Sequence, residues 1–251
     1  MDNDCWACVF LRVEWRSRAK LRLVCHAWVA VLNNSLLWPD ADTDLERSHL
    51  SNACRRGSLP AAQWLAETFG LVAADARADD NSALCWSCAK GHLEVAQWLV
   101  ATFDLTAEDA RADDNEALLL ACRKGHLVVA QWLTSTFGLT VDDARADDNC
   151  ALRVSCVYGQ MAVAQWLVAA FGLTADDARA TDNYALRWSC SNGHLAVAQW
   201  LVEAFGLTTA DARACGDWAL RFSCMRSHPE VVQWLVKTFD LGPHCDKCCL
   251  P

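Results

Sequence analysis

The chain has 251 residues, a formal net charge of −9 and a hydrophobic fraction of 53%. The negative charge argues against a nucleic-acid partner, because no basic stripe is available to replace the counterions of a phosphate backbone. Charged residues from Arg12 to Arg22 interrupt any early apolar run. We therefore expect neither a signal peptide nor a membrane-spanning helix, which needs about 18 consecutive apolar residues, and we place the protein inside the cell.

Residues 1–42 precede the repetitive part of the chain and contain one amphipathic pattern. Apolar residues recur there at the i, i+3, i+4, i+7 spacing of a helix, at Leu21, Val24, Cys25 and Trp28. A stack of repeats needs a capping element, because its first layer would otherwise expose an apolar face. The pattern therefore predicts an N-terminal helical cap.

The same segment, Leu21-Arg-Leu-Val-Cys-His-Ala-Trp28, resembles the second half of an F-box. That pattern ends in leucines followed by Val-Cys, a basic residue, any residue and Trp; here His26 occupies the basic position. The Leu-Pro that opens an F-box is missing from the stretch between Val9 and Trp15. The resemblance implies docking on the small adaptor subunit of a cullin-type ubiquitin ligase. The contact residues would be Leu21, Leu23, Val24, Cys25 and Trp28.

Residues 43–241 consist of one unit copied six times. Its tryptophan recurs every 34 residues, at Trp64, Trp98, Trp132, Trp166, Trp200 and Trp234. A cysteine recurs at the same period, at Cys54, Cys88, Cys122, Cys156, Cys190 and Cys224. A fixed period of this length is the signature of a stacked-repeat architecture.

The fifth copy shows what each unit predicts. Asp182 and Asn183 can cap a helix over 184–192, and Gly193 then supplies the left-handed conformation that ends it. A second helix is expected over 195–205. An acidic connection, expected to be partly helical, returns the chain to the next copy. Two antiparallel helices and a connection make a helical solenoid.

The unit Asn-x-Ala-Leu-Arg-x-Ser-Cys-x-x-Gly-His-Leu-x-Val-Ala-x-x-Leu resembles the ankyrin repeat. Ala185-Leu186 stands in place of the ankyrin Pro-Leu, and Arg187 in place of His. This repeat sequence behind an F-box-like start is similar to proteins of large amoeba-infecting DNA viruses. The resemblance implies an all-α, ankyrin-type helical solenoid of six 34-residue repeats with an N-terminal helical cap. It also implies a cytoplasmic location, in a host cell if the protein is viral.

Most recurring residues have structural explanations. The layers between helices are expected to bury Leu84, Cys88, Val95, Ala96, Leu99, Phe103 and their equivalents. Asp109 and Arg111, repeated as Asp143 and Arg145, are expected to form ion pairs between repeats. All fifteen cysteines are expected to be free thiols, which suits a reducing compartment. The histidines at the turns are expected to act as hydrogen-bonding caps rather than metal ligands: His92, His126 and His194.

The residues that change between copies are the candidates for recognition. Offsets of three and seven residues from the capping position lie on one face of the first helix, which lines the partner-binding groove in ankyrin stacks. The candidates are Glu116, Arg153, Val157, Tyr158, Tyr184, Arg187, Trp218, Arg221 and Met225. Aromatic and arginine residues are enriched at binding hot spots. Neutral drift on a solvated face is the alternative.

The charge of this row predicts the partner. Arg153, Arg187 and Arg221 in successive copies would favour a protein with an acidic, partly apolar segment. Changing Arg187 and Trp218 together to alanine is expected to weaken capture by about 2–4 kcal/mol. Folding is expected to change little, since both side chains are taken to be exposed.

No catalytic motif is present in the sequence, and acidic pairs such as Asp79-Asp80 recur only because the repeat does. We expect no enzyme activity, no metal and no cofactor. The tail, 242–251, is rich in cysteine but its adjacent Cys248 and Cys249 suit one tetrahedral site poorly. The leading hypothesis is a monomeric adaptor that captures a protein target for a ubiquitin ligase. The alternative is an ankyrin scaffold or inhibitor without a ligase connection.

Overall fold

A computed structural model describes residues 43–241 of the chain. The F-box-like segment, 1–42, and the cysteine-rich tail, 242–251, lie outside the described residues. The chain divides into two compact units, one ending at Asp109 and one beginning at Ala110. Each unit is an array of packed helices, and no strand occurs in the described range.

Unit 1 contains two complete repeats, each with a first and a second helix. Its helices are α1 (Thr43–Arg55), α2 (Leu59–Phe69), the short α3 (Ala73–Ala76), α4 (Ala78–Ala89) and α5 (Leu93–Phe103). The first helices are α1 and α4, and the second helices are α2 and α5.

Unit 2 contains repeats three to six. Its first helix begins within the last three residues of unit 1. Its helices are α6 (Ala107–Lys124), α7 (Leu127–Phe137), α8 (Val141–Val157), α9 (Met161–Phe171), α10 (Ala175–Ser191), α11 (Leu195–Phe205), α12 (Thr209–Ala212), α13 (Ala214–Met225) and α14 (Pro229–Phe239). The prediction of an all-α helical solenoid is confirmed.

The helix pairs are held together by the recurring apolar residues. In the second repeat Leu84, Cys88 and Leu99 have no exposed surface. Val95, Ala96 and Phe103 are also buried. Burial of a large apolar side chain contributes about 1.5–3 kcal/mol, so one such set per repeat supplies the main stabilising term. The predicted core is therefore confirmed.

The connection into the first helix of a repeat is partly helical, as predicted, but the residues expected to cap that helix have a different conformation. Ala175 begins a helical turn, and the chain then passes through three consecutive left-handed residues, Thr181, Asp182 and Asn183, with φ of 53°, 54° and 58°. Asp182 and Asn183 therefore form a left-handed turn rather than a helix cap in extended conformation. Asp and Asn suit this turn because their short polar side chains make them the most tolerant non-glycine residues in the left-handed region.

The predicted ion pairs between repeats are confirmed. Each arginine of the connection pairs with the aspartate 32 residues later: Arg77–Asp109, Arg111–Asp143, Arg145–Asp177 and Arg179–Asp211, at 2.7–2.9 Å. Each aspartate also accepts hydrogen bonds from the threonine three residues before it; at Asp143 the Thr140 backbone N–H donates at 2.7 Å. One carboxylate thus joins two repeats and caps a helical turn.

These contacts lower the pKa of all four aspartates. At Asp143 the Arg111 guanidinium is the largest influence and lowers the pKa. At Asp109, Asp177 and Asp211 the largest single influence is burial, which raises the pKa, but the hydrogen bonds from arginine and threonine together outweigh it.

Acid is therefore expected to weaken the fold. A carboxylate with a lowered folded-state pKa stabilises the protein fully above its unfolded-state pKa of about 4, and that contribution is lost as the pH falls through the folded-state value. We expect the urea unfolding midpoint to fall between about pH 5 and about pH 3. Asp143→Asn should reduce this fall, whereas Asp148→Asn, at an exposed carboxylate of the neighbouring turn, should not. An unchanged pH dependence in Asp143→Asn would contradict the assignment.

The histidines at the turns pack on the preceding repeat. The His194 ring lies over Gly159, and His194 also hydrogen-bonds to the Val157 backbone. It does not cap its own helix. Burial is the main cause of the lowered pKa of His194. The hydrogen-bonding role is thus between repeats rather than within one.

The recurring cysteines are free, buried thiols in five repeats. Cys54, Cys88, Cys122, Cys156 and Cys190 have no exposed surface. Burial raises the pKa of Cys54, Cys122 and Cys190 to about 12, which makes these thiols inert. The expectation that all the cysteines are thiols is wrong at Cys224, which is half-buried and disulfide-bonded.

Among the described residues, no helix is both long enough and apolar enough to cross a membrane.

Candidate functional site

The first helices of repeats five and six bring together four aromatic rings in unit 2. Tyr184 lies 5.6 Å from Trp188, Trp188 lies 4.8 Å from Trp218, and Trp218 stacks on Phe222 at 4.1 Å between ring centroids. All four side chains are half-buried. We call these four residues the aromatic row. Such a row offers large, rigid, partly apolar contact area at little cost in side-chain entropy.

Arginines lie over the rings of this row. The Arg153 guanidinium is 5.1 Å from the Tyr184 ring, and that of Arg187 is 5.2 Å from the Trp218 ring. Arg226 lies 5.4 Å from the Trp188 ring. A guanidinium within about 6 Å of an aromatic face is attracted by the ring quadrupole. The row is therefore a mixed surface of aromatic rings and positive charge.

Arg187 is not exposed, contrary to the expectation from sequence. Its side chain donates from Nε to the Asp182 carbonyl at 2.7 Å and from Nη2 to the Thr181 carbonyl at 3.0 Å. Only 9% of Arg187 is exposed, because Trp218 of the next repeat covers it. The expectation of little effect on folding is therefore wrong for this residue.

Arg153 has a similar structural role, whereas Arg221 does not. Arg153 donates from Nη2 to the Asp147 carbonyl at 2.7 Å and is half-buried. Arg221 is exposed, and among the described residues it donates one long hydrogen bond, of 3.5 Å, to the Gly216 carbonyl. Three residues at the same repeat position thus differ in their availability to a partner.

The C-terminal ends of the first helices add a second group of contacts. The Asn192 side chain donates to the Val157 carbonyl at 2.8 Å and accepts a hydrogen bond from Arg226. Tyr158, 41% exposed, lies 4.5 Å from the Arg123 guanidinium. Met225 is 72% exposed. These contacts connect the predicted Val157 to the aromatic row through Asn192 and Arg226.

Glu116, like Tyr158, Arg221 and Met225, has no described contact that joins it to the aromatic row. It is half-buried in repeat three. Burial raises its pKa most, the Asp113 carboxylate raises it further, and Arg123 opposes both.

Trp188 and Phe222 are not among the residues predicted from the sequence. The predicted positions stand at offsets of three and seven from Tyr184 and Trp218, whereas Trp188 and Phe222 stand at an offset of four. Residues at i and i+4 share a helix face as closely as residues at i and i+3. The helical period therefore places Trp188 and Phe222 on the same helix faces as Tyr184 and Trp218, and they could have been predicted from the sequence.

The corresponding surface of unit 1 is more polar. Ser51 and Ser82 share a hydrogen bond of 2.6 Å, and Arg55 lies 5.7 Å from the Trp86 ring. These residues, with Asn52 and Asp79, line an open depression of about 430 Å³. Unit 1 shows no ring-to-ring contact on this surface among its described residues.

The described residues provide no group of three or more His, Cys, Asp or Glu side chains that could hold a metal ion. The surface of repeats four to six carries aromatic rings, guanidinium groups and amides. Such groups recognise a partner by packing, charge and hydrogen bonding.

A family model described as ankyrin repeats (3 copies) matches residues 28–109. A search of curated proteins finds no match to the chain. Residues 28–109 therefore carry ankyrin repeats, as the sequence predicts, and no catalytic family is indicated by this match. Ankyrin repeats indicate a scaffold for protein–protein interaction.

Proposed function

We propose that the protein is a non-enzymatic adaptor that captures a target protein on the first-helix surface of repeats four to six and presents it to a cullin-type ubiquitin ligase. The observation that carries the capture step is the aromatic row of Tyr184, Trp188, Trp218 and Phe222, bordered by arginines. Tryptophan, tyrosine and arginine are the residue types most enriched at binding hot spots.

The chemistry of this surface suits a protein segment. Four half-buried rings offer apolar area, while Arg221, Arg226 and Met225 at its edge are exposed. An apolar centre with a polar border is the usual arrangement of an interaction patch. The surface thus supports capture by side-chain packing.

The ligase connection rests on the F-box-like segment, whose proposed contact residues are Leu21, Leu23, Val24, Cys25 and Trp28. They lie outside the described residues, and the family match begins at residue 28. The resemblance of Leu21–Trp28 to the second half of an F-box is the support for this step.

The alternative is an ankyrin scaffold or inhibitor without a ligase connection. The missing Leu-Pro opening of the F-box favours it, because that opening begins the helix that meets the ligase adaptor. Both versions act inside a cell, as a monomer; the five buried repeat thiols suit a reducing compartment.

A pull-down with the purified small adaptor subunit of a cullin-type ligase separates the two versions. We expect the full chain to bind it and the double variant Leu23→Ala/Trp28→Ala to lose binding by about tenfold or more, because removing two anchors typically costs at least 1.4 kcal/mol.

The matched control is Val72→Ala, which removes an exposed apolar side chain of unit 1 and should bind normally. If the full chain does not bind the adaptor subunit, the ligase version fails and the scaffold remains.

A further inference from the structure

We infer that the segment captured on the aromatic row is acidic, with a carboxylate paired to Arg226 and an apolar side chain packed on Trp188 and Phe222. This inference rests on the proposed capture of a protein segment, and it names the partner chemistry and the residue that selects it.

Two arginines beside the aromatic row are partly or fully buried. Arg187 is buried and donates to the Thr181 and Asp182 carbonyls, and Arg153 is half-buried and donates to the Asp147 carbonyl. Arg226 is exposed and makes one described hydrogen bond, to the Asn192 side chain. A guanidinium has five N–H donors, so Arg226 retains donors that face solvent.

The Arg226 guanidinium is positioned by two contacts. It lies over the Trp188 ring and donates a hydrogen bond to the Asn192 amide oxygen. An arginine already fixed in position loses less side-chain entropy when it pairs with a carboxylate, and its planar fork can bind both carboxylate oxygens. Arg226 is therefore better placed for carboxylate binding than a freely moving surface arginine.

The charges around the aromatic row favour a negatively charged partner. Aromatic rings can also bind cations, but Arg153, Arg187 and Arg226 already lie over the rings of Tyr184, Trp218 and Trp188. A further cation would meet positive charge there. The Asp217 carboxylate, at the start of the same first helix, lies 3.9 Å from the Arg213 guanidinium rather than at Arg226.

The test selects random linear displayed peptides on the immobilised full chain. We expect enriched sequences to carry net negative charge together with an aromatic or aliphatic residue, and their binding to weaken as salt is raised. Synthetic copies of the enriched peptides then serve as probes. Arg226→Glu should weaken their binding by about tenfold or more, because a repulsive carboxylate replaces the guanidinium.

Lys237→Glu is the matched control: it makes the same charge change at an exposed position on the second helix of the same repeat and should leave binding unchanged. A repeated selection on Arg226→Glu should enrich peptides with lysine or arginine in place of the acidic residue. Circular dichroism checks that both variants are folded.

Four outcomes distinguish the acidic-segment inference from the proposed capture. Enriched peptides that are neutral or basic, or acidic peptides that bind Arg226→Glu as tightly as the native chain, would overturn the acidic-segment inference and leave capture standing. No enrichment on the native chain would overturn capture itself, and this inference with it. Charge-reversed enrichment on Arg226→Glu would support both.

Discussion

Replacing Gly159 with alanine is expected to destabilise the protein by about 3 kcal/mol, from a left-handed penalty of about 1–2 kcal/mol and an overpacking penalty of similar size. Gly159 has φ of +73°, and an added Cβ would lie 2.7 Å from Nδ1 of the His194 ring. Urea unfolding followed by far-ultraviolet circular dichroism measures the change in the free energy of unfolding.

The matched control lies in the same repeat. Gly172 has φ of +63° and no atom within 4 Å of an added Cβ, so Gly172→Ala should cost only the backbone term, about 1–2 kcal/mol. Adding His194→Ala to Gly159→Ala should cost less than the sum of the two single changes, because the ring that clashes is gone. Equal costs at Gly159 and Gly172 would contradict the packing of one repeat's histidine on the glycine before it.

Replacing Arg187 with alanine is expected to destabilise the fold by about 2–3 kcal/mol. The change leaves the carbonyls of Thr181 and Asp182 without their described donor, at about 1–3 kcal/mol, and removes the guanidinium from the Trp218 ring. Urea unfolding is again the measurement.

Arg221→Ala removes the same residue from the same repeat position one copy later, where it is exposed, and should change stability by less than about 0.5 kcal/mol. A similar loss in both variants would show that burial of Arg187 has no energetic consequence. Weaker binding by an Arg187 variant could come either from partial unfolding or from a lost contact with the partner. The binding experiment therefore changes Arg226, which is exposed.

The repeat units could be read from the sequence because their determinants are local. The 34-residue period, the apolar spacing and the glycines at the turns place each helix pair, and the second helix of the fifth repeat spans 195–205 as predicted. The first helix ends at Ser191, one residue before the predicted end. The pairing of Arg111 with Asp143 was also predictable, since a residue repeated in every copy meets its equivalent at a constant offset.

The left-handed turn was not predictable from capping rules. Asp and Asn favour both helix caps and left-handed positions, so their presence at Asp182 and Asn183 could not distinguish the two. The hydrogen bonds from Arg187 to the carbonyls of this turn contribute to the left-handed form in repeat five. The conformation of the turn is thus associated with a contact from Arg187, which lies five and six residues later in the chain.

By itself, the sequence determined the helix pairs, the buried layers and the ion pairs between repeats, because each depends on spacing within a unit or on a constant offset between units. Only the tertiary structure decided which of the arginines at one repeat position, Arg153, Arg187 and Arg221, are available to a partner. Arg187 and Arg221 occupy the same repeat position, but Trp218 of the following repeat covers Arg187, while no described repeat follows Arg221. The burial of Arg187 depends on a side chain of the next repeat, and the residue pattern within a single repeat does not contain that side chain.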